Sequence, residues 1–242
     1  MSVTVSLDAA GRYFATFLCT DVPSKDAIAA DREVGIDLGV ETLATLSDGT
    51  KIGNPRHLKK YEHRLAREQR RLSRRKGARR GEKQSMRYLK QRKRVARIHA
   101  KIADARTDAL HKVTTMLADE NQVLCMEDLN AKGMVRNHHL AKAVSDASFG
   151  EFARLLEYKC AERGRTLVKV DRFYPSSKTC SACGHRLDAL SLSVRSWDCP
   201  SCGVHHDRDV NAARNILAEG KRILSNTEGT AGHAGTVADI TA

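Results

Sequence analysis

Four cysteines stand in two pairs towards the C-terminal end of the sequence, and their spacing is typical of a metal site. Cys180 and Cys183 form one Cys-x2-Cys pair, and Cys199 and Cys202 form the second after fifteen intervening residues. A glycine follows each pair and permits the tight turn of a metal knuckle. Four protein thiolates complete a tetrahedral zinc site and leave no open position, so we predict structural rather than catalytic zinc. Free thiols are the alternative.

Three histidines lie beside these cysteines and exceed the four ligands that a tetrahedral site needs. We interpret His185, His205 and His206 as surface or polar-contact side chains. The chain has seven cysteines, an odd number, and four already have metal spacing, so metal is favoured over disulfides. No signal peptide and no membrane-length apolar run is evident. We therefore predict a cytoplasmic, nucleoid-associated protein without a membrane partner.

Three carboxylates, far apart in the sequence, could converge at one sheet. Asp37 stands between two glycines in an alternating apolar run, Glu127 ends an apolar run, and Asp209 lies on the apolar stripe of the last helix. Clustered carboxylates repel one another unless cations hold them. Two Mg²⁺ ions about 3.5–4 Å apart would suit such a group and would act on a phosphodiester. We interpret these acids as a candidate nuclease site.

Each acid also has an ordinary structural interpretation. Asp37 could be a surface residue of an edge hairpin, and Glu127 with Asp128 could cap a helix or face solvent after a core strand. Asp207 is a good N-cap for the last helix. Whether Asp207 shares a metal with Asp209 stays open at the level of the sequence.

The formal net charge of +13 favours a polyanionic partner, with nucleic acid as the first candidate. A basic membrane-surface protein is the rival, but no amphipathic anchor is evident. Acids are too scarce in the basic run for i,i+4 pairing to neutralise it, although a solvated helix face is the usual alternative. We predict phosphate contacts, which fix position without reading sequence. The candidate nucleic-acid-binding residues are Arg67, Arg71, Arg74, Arg75, Lys76, Arg79, Arg80, Lys83 and Arg87.

The elements that must position these residues begin with short strands. Residues 3–7 and 12–18 predict a hairpin, because apolar residues alternate and a turn containing glycine separates the two runs. Residues 34–38 form the predicted strand of Asp37. A turn, a second strand and a third strand near residue 52 follow, so we expect three antiparallel strands in a row.

A basic helical hairpin is predicted over residues 56–120. Leu58, Leu65 and Leu72 recur at seven-residue intervals, the spacing of a packing seam, and residues 75–81 break the pattern. The second helix is expected to pack through Leu89, Val95, Ile98, Ile102, Leu110, Val113 and Leu117.

The C-terminal half predicts a strand, a helix and a second strand. Residues 122–126 are typical of a buried central strand, and residues 166–170 of a parallel neighbour reached through the helix at 146–163. Residues 132–139 are expected to form a loop, and residues 221–242 a disordered tail. The helix is expected to carry Phe149, Phe152, Leu155, Leu156 and Tyr158 as its apolar residues.

Four stretches of the sequence together resemble the TnpB (OrfB) proteins of insertion sequences, which are related to the type V CRISPR effectors. They are Gly-Ile-Asp-Leu-Gly at 35–39, Met-Glu-Asp-Leu-Asn at 126–130, Ser-Ser-Lys-Thr-Cys-Ser-x-Cys-Gly at 176–184 and Asp-Arg-Asp-x-Asn-Ala-Ala-x-Asn-Ile at 207–216. They occur in the family's order, and the resemblance extends over about residues 1–220.

The resemblance implies an α/β fold with an RNase H-like (RuvC) mixed sheet, a long basic helical hairpin and an inserted zinc ribbon. The implied parts are a residual β-barrel hairpin at 1–20, a RuvC-like nuclease domain at 32–175 and 207–220, with the helical hairpin at 56–120, and a zinc ribbon at 176–206. The resemblance also implies Mg²⁺-dependent DNA cleavage guided by an RNA from the transposon end. Its implied catalytic triad is Asp37, Glu127 and Asp209, and its implied zinc ligands are Cys180, Cys183, Cys199 and Cys202.

Members of that family usually carry a long N-terminal part before the RuvC domain, so the resemblance implies a truncated form here. The leading interpretation is an RNA-guided DNA endonuclease. A non-cleaving nucleic-acid-binding fragment or regulator is the second, and a DNA strand-transfer transposase is the third. The three acids favour the nuclease, because a protein that only binds nucleic acid does not need them.

Overall fold

A computed structural model of the chain describes residues 2–20, 29–77, 83–137, 141–191 and 193–231. The chain divides into two compact units. The first comprises Met1–Lys25 and Pro55–Val113, and the second comprises Asp26–Asn54 and Thr114–Ala242. The predicted helical hairpin is therefore divided at Val113, because its second helix extends beyond the first unit.

The first unit contains a β-hairpin and two long helices. Strands β1 (Ser2–Leu7) and β2 (Tyr13–Leu18) pair antiparallel, which confirms the predicted hairpin. Helices α1 (His57–Arg75) and α2 (Met86–Glu120) confirm the two predicted helices.

The seam between α1 and α2 is apolar and follows the predicted spacing. Leu65, Val95, Ile98 and Ile102 are buried in it, and the other predicted seam leucines of α1 are partly buried against them. Leu89 was predicted to pack in α2, but it is exposed, because it lies near the N-terminal end of the helix.

The second unit is built on a five-stranded mixed sheet of order β5-β4-β3-β6-β7. The three antiparallel strands predicted from the sequence are present, and the last two strands of the sheet lie parallel to each other as expected. The first of these two also pairs in parallel with the strand of Asp37, which the sequence analysis did not predict. The strands are β3 (Arg32–Leu38), β4 (Thr42–Leu46), β5 (Lys51–Gly53), β6 (Asn121–Glu127) and β7 (Thr166–Val170).

Helices and a small hairpin complete this unit. They are α3 (Ala131–Val135), α4 (Ala141–Ala147), α5 (Phe149–Glu162), β8 (Ser196–Asp198), β9 (His205–Asp207) and α6 (Arg208–Ala231). None of the described helices combines the length and the apolar character needed to cross a membrane.

Three expectations for this unit are wrong. The helix predicted at 146–163 is two helices, because Ser148 is left-handed (φ 54°) and its hydroxyl donates to the carbonyl of Ser145. Part of the loop predicted at 132–139 is α3, whose N-terminus is capped by Asn130 accepting from the Gly133 N–H. Residues 138 and 139 lie outside the described residues.

The predicted disordered tail is also partly wrong. Residues 221–231 continue α6, since Ile223 and Leu224 pack against the buried cluster that contains Cys125 and Ile216. Residues 232–242 lie outside the described part of the chain.

The predicted core face of α5 is mostly confirmed. Phe149, Phe152, Leu155 and Leu156 are buried, whereas Tyr158 is exposed. Tyr158 is followed by Lys159, a buried residue whose ammonium donates to the hydroxyls of two threonines in α2. The rotation of the helix therefore turns a lysine inward and the tyrosine outward.

Candidate functional site

Two of the predicted acids lie side by side at one edge of the sheet. β3 and β6 run parallel, with Ile36 opposite Met126. Asp37 and Glu127 are the next residues along these strands, so they emerge at the same carboxyl edge. Open sheets commonly place their sites at this edge.

Helix α6 crosses β3 at very close range and brings the third acid. A Cβ atom built on Gly35 would lie 2.0 Å from the carbonyl oxygen of Ala213, so only glycine allows this approach. Asp37 lies two residues after Gly35 on the strand, and Asp209 lies one helical turn before Ala213. The close crossing therefore directs both carboxylates to the same place.

Asp37, Glu127 and Asp209 line one cleft of about 350 Å³. The structure thus brings together the three acids that the sequence singled out. The full lining is Asp37, Leu38, Gly39, Val40, Glu41, Thr42, Glu127, Ser176, Ser177, Arg195, Arg208, Asp209 and Ala212.

The cleft holds its carboxylates in an unfavourable environment for negative charge. Burial and the nearby charges of Asp209 and Glu127 raise the pKa of Asp37 to about 8, and Arg208 offsets part of this effect. Burial and the charges of Asp128 and Asp171 raise the pKa of Glu127 to about 7. Carboxyl groups with raised pKa values bind a proton near neutral pH, or ionise when a cation lies beside them.

The structure separates the two acids at the start of α6. Asp207 accepts from the backbone N–H groups of Asp209 and Val210, which makes it the predicted N-cap. Its carboxylate also pairs with Lys51 at 2.6 Å, and this ion pair contributes to lowering its pKa. Asp207 does not line the cleft, whereas Asp209 does.

Two arginines bring positive charge to the wall of the cleft, and the sequence reasoning did not single them out. Arg195 pairs with Glu41 at 3.1 Å, and Arg208 points its guanidinium towards backbone carbonyls of the segment before β8. Arg208 stands inside the Asp-Arg-Asp stretch, which is the one sequence signal that could have identified it.

The four predicted cysteines converge within the second unit. Their sulfur atoms all lie within 4.8 Å of one another, as expected for residues that could hold one metal ion. Cys180 and Cys202 are 3.7 Å apart at their sulfurs, and Cys183 and Cys199 are 3.6 Å apart. The glycine after each pair is left-handed, with φ of 76° and 71°, as a knuckle turn requires.

The histidines divide into two groups. His185 and His205 are at the surface, and His205 contacts Asp198 at 2.7 Å. His206 is buried, its Nε2 lies 3.0 Å from the sulfur of Cys180, and its ring packs on Trp197 at 4.7 Å. The prediction of a polar contact is met at His206, although this residue is not on the surface.

Two asparagines connect the cysteine cluster to α6, and the sequence reasoning assigned them no role. The Asn211 carboxamide donates to the carbonyl of Thr179 at 2.8 Å and accepts from the Ser181 N–H at 2.9 Å. Asn215 donates to the carbonyls of Ser176 and Thr179 at 2.7 and 2.6 Å. Polar residues four positions apart on the buried face of a helix are the signal that could have found them.

The predicted nucleic-acid-binding residues that the structure describes lie on α1, just after it, and at or before the N-terminal end of α2. Arg71 pairs with Glu68 at 2.8 Å, and Arg75 donates to Gln91 at 3.0 Å. Arg67 also lies within ion-pair distance of Glu68. Arg74, Lys76, Lys83 and Arg87 are exposed, whereas Arg79 and Arg80 lie outside the described residues.

Comparison with known protein families covers most of the chain. Residues 17–138 match the family model OrfB_IS605, described as "Probable transposase", and residues 149–216 match the Cas12f1-like TNB domain. This chain belongs to the TnpB (OrfB) family. The match to the first model covers half of the chain and includes two of the cleft acids.

Curated TnpB relatives are substantially longer than this chain. A Streptomyces pristinaespiralis protein named "Putative RNA-guided DNA endonuclease" is 50% identical over 219 residues, which are 90% of this chain and 52% of the relative. Escherichia coli InsQ, with the same descriptive name, is 34% identical over 239 residues, or 93% of this chain and 58% of the relative. The chain spans about half the length of the curated relatives it matches.

Two solved structures share the fold. The Cas12f1-sgRNA-target DNA complex aligns with a TM-score of 0.53 and 19% identity, over 89% of this chain and 55% of the other. A CRISPR-Cas12f ternary complex aligns with a TM-score of 0.55 and 22% identity, over 89% and 44% respectively. At these identities the similarity is one of fold.

Proposed function

We propose that the second unit is a RuvC-type, RNase H-like nuclease domain that hydrolyses phosphodiester bonds of DNA with Mg²⁺ at Asp37, Glu127 and Asp209. The observation that carries the proposal is the convergence of these three acids in one cleft. A domain that only binds nucleic acid would gain nothing from a cluster of carboxylates that repels phosphate.

The cleft residues fit a divalent cation of the magnesium type. Carboxylate oxygens are the ligands that Mg²⁺ prefers. Burial and neighbouring carboxylates raise the pKa values of Asp37 and Glu127, and a bound cation would favour the ionised form of both groups. Asp37, Glu127 and Asp209 would hold the metal. When bound, Mg²⁺ supplies an activated water and stabilises the leaving oxygen of the phosphodiester.

The chain's own residues then divide the remaining work. The Gly35–Ala213 crossing fixes Asp37 against Asp209, so the carboxylates are positioned before any substrate arrives. Arg195 and Arg208 line the same cleft and provide positive charge where a scissile phosphate would lie. Asp207 acts by capping α6 and by pairing with Lys51, outside the cleft.

The four-cysteine cluster fits a structural zinc ion. Zinc bonds to thiolates of about 2.3 Å in a tetrahedron set neighbouring sulfurs about 3.8 Å apart. The two close pairs of sulfurs are 3.7 and 3.6 Å apart, which agrees with that geometry. All four ligands come from the protein, so the metal would stabilise the fold of residues 176–206 and not take part in chemistry.

DNA and a guide RNA made from the transposon end are the proposed partners. The support is the family membership, the names of the relatives, and the basic surface of the α1–α2 hairpin. A non-cleaving nucleic-acid-binding protein and a strand-transfer transposase are the competing functions. In the first alternative the acids of the cleft would have no catalytic role, and in the second they would catalyse strand transfer and not hydrolysis.

The test is Mg²⁺-dependent cleavage of single- and double-stranded DNA by the full chain, co-expressed with its transposon-end RNA. Asp37→Ala is expected to lower the rate about 1,000-fold or more, a loss of about 4 kcal/mol in transition-state stabilisation, with nucleic-acid affinity nearly unchanged. Asp48→Asn, an exposed acid in the turn after β4, is the matched control and should cut normally.

The same assay separates the neighbouring acids of α6. Asp209→Asn should abolish cutting, whereas Asp207→Asn should retain most of it with a small loss of stability from the missing cap. An Asp37→Ala variant that still cuts would remove this cleft from the mechanism. Binding by the wild-type chain without cutting would favour the non-cleaving function.

A further inference from the structure

The β8–β9 hairpin turns one of two adjacent histidines towards the protein interior. Its strands pair antiparallel, with Trp197 opposite His206 and Asp198 opposite His205. Successive residues of a strand point to opposite faces, so Trp197 and His206 share the buried face. His206 is 3% exposed, whereas His205 is at the surface. The two histidines are neighbours in the sequence, but only His206 can reach the cysteine cluster.

The ring of His206 is held by packing. Its centroid lies 4.7 Å from that of Trp197, with the two ring planes inclined by 40°. Trp197 is itself packed in a buried cluster with Cys180 and Cys199. A side chain that is locked by its neighbours presents its polar atoms at a fixed place. The position of the imidazole nitrogens is therefore set before any metal binds.

One imidazole nitrogen lies against a predicted metal ligand. The Nε2 atom of His206 is 3.0 Å from the sulfur of Cys180, and both side chains are buried. A metal-bound cysteine is a thiolate and has no proton to donate. In the loaded site the imidazole must therefore carry a proton on Nε2 and donate it to the sulfur.

The geometry favours His206 as a hydrogen-bond donor over a role as a metal ligand. Among the residues that the structure describes, four cysteine sulfurs lie within 4.8 Å of one another, and His206 is not part of that group. Four thiolates already complete a tetrahedral zinc site. The imidazole therefore acts on one ligand and not on the metal.

A donor at this place answers an electrostatic need of the cluster. Four thiolates around one Zn²⁺ ion leave an excess of negative charge, and the residues Cys180 and Cys199 are buried. Charge that is removed from water is costly unless hydrogen bonds compensate it. An N–H group that donates to a thiolate stabilises the ionised form, which is the form that binds zinc.

We propose that His206 is a positioning residue of the metal site, whose Nε2–H donates to the Cys180 thiolate and strengthens zinc binding. The inference rests on the structural zinc ion of the proposed function. β9 ends at Asp207 and α6 begins at Arg208, so the same hydrogen bond anchors the strand directly before the helix that carries Asp209. The metal site and the acid cleft thus share one short segment of backbone.

The first test measures the zinc affinity of the full chain by competition with a chelator. Trp197 is the only tryptophan of the sequence, so its fluorescence reports metal loss beside the site. His206→Phe keeps a ring against Trp197 and removes the donor, and it should weaken zinc binding by about 10- to 100-fold. His206→Gln restores a side-chain N–H and should recover part of the affinity. His205→Phe, the same change at the exposed neighbour, should bind zinc as the wild type does.

The second test uses the wild-type chain loaded with ¹¹³Cd²⁺, a magnetic ion that thiolates bind in place of zinc. A proton on His206 Nε2 that donates to Cys180 should show a scalar coupling to the cadmium through the sulfur, and His205 should show none. A change of packing alone would not produce this signal. A direct coupling between the imidazole nitrogen and cadmium would make His206 a ligand and overturn the proposal.

Equal zinc affinities of His206→Phe and His205→Phe would also overturn the proposal. If His206→Phe does not fold, His206→Gln and the cadmium coupling of the wild type still decide. A wild-type chain that binds neither zinc nor cadmium would reject the proposed zinc site together with this inference. Tight metal binding without the coupling would reject the role of His206 alone. Neither test requires DNA cleavage, so their outcomes are independent of the proposed nuclease activity.

Discussion

The acid cleft and the basic hairpin both concentrate like charges, but they do so in opposite ways. The cleft holds its partly buried carboxylates near one another, and the pKa values of Asp37 and Glu127 are raised. The hairpin spreads its arginines over exposed helix faces, where water and salt screen them. The first arrangement suits a discrete divalent ion at a fixed point. The second suits an extended polyanion.

The two regions also differ in what holds their charges in place. The cleft depends on a close crossing of backbones at Gly35 and on the buried asparagines of α6. The hairpin depends on an apolar seam, with Glu68 and Gln91 as its one described buried polar pair. A methyl group added at the crossing should therefore damage the cleft and leave the hairpin intact.

Gly35→Ala is expected to have the largest effect. Its Cβ would meet the carbonyl oxygen of Ala213 at 2.0 Å and the backbone nitrogen of Leu217 at 2.8 Å, and backbone atoms cannot yield as a flexible side chain can. We expect a loss of roughly 3 kcal/mol or more in the free energy of unfolding and no cleavage. Chemical denaturation and the cleavage assay measure these effects.

The matched control is Gly53→Ala in β5, where an added Cβ meets nothing within 4 Å. It should change stability by less than about 1 kcal/mol. The RNA binding proposed for the hairpin should survive both substitutions. If Gly35→Ala were as stable and active as Gly53→Ala, the close crossing would not be what positions the acids.

Asn211→Ala and Asn215→Ala should have intermediate effects. Each removes a donor from the backbone carbonyls of Ser176 and Thr179, and an unsatisfied buried polar group costs about 1–3 kcal/mol. Thermal unfolding should show the loss, and zinc should dissociate faster in a chelator competition. Cys199→Ser, which should retain no zinc, sets the upper limit of that effect.

Ser225→Ala, at an exposed position of the same helix where the hydroxyl donates to the carbonyl of Arg222 one turn earlier, is the control for the asparagine variants. Its zinc release and unfolding temperature should match the wild type. If the two buried asparagine variants behaved like this control, the hydrogen bonds between α6 and the cysteine cluster would contribute nothing to stability or to zinc retention.

A last comparison of the two regions is the pH dependence of the metal-free cleft. The pKa values of Asp37 and Glu127 lie above their ordinary values of 3.8 and 4.5, so the folded state binds protons more tightly than the unfolded state. The stabilising contribution is complete below about pH 4 and disappears as the pH rises to about 8. Without Mg²⁺, the unfolding temperature should fall by several degrees over that range.

Excess Mg²⁺ should flatten this dependence at neutral and higher pH, because the cation replaces the protons. Asp37→Asn in the metal-free protein should flatten it as well. Variants of the hairpin arginines should leave the slope unchanged, since they do not alter the acids of the cleft. Stability that rises with pH in the metal-free protein would show that the cleft does not store negative charge.

The local sequence pattern was sufficient to predict an element wherever the residues of that segment alone determine its secondary structure. The seven-residue leucine spacing identified α1, and the alternation around Asp37 identified β3. The same reasoning failed at Ser148, where a hydroxyl competes with the backbone, and at residue 221 onwards, where packing against a distant strand continues the helix. Periodicity records which face a segment buries, but not which neighbour covers that face.

The sequence by itself was sufficient to predict the candidate metal-binding residues, because knuckle spacing and the residue types of the three acids are local properties. Only the tertiary structure decided that Asp209 and not Asp207 enters the cleft. Asp209 is the second residue of α6 and lines the cleft with Asp37, whereas Asp207 precedes the helix and pairs with Lys51. Only the tertiary structure showed Asn211 joining α6 to the cysteines and His206 lying beside the sulfur of Cys180. Those arrangements depend on contacts between segments that are distant in the chain, and no local pattern encodes them.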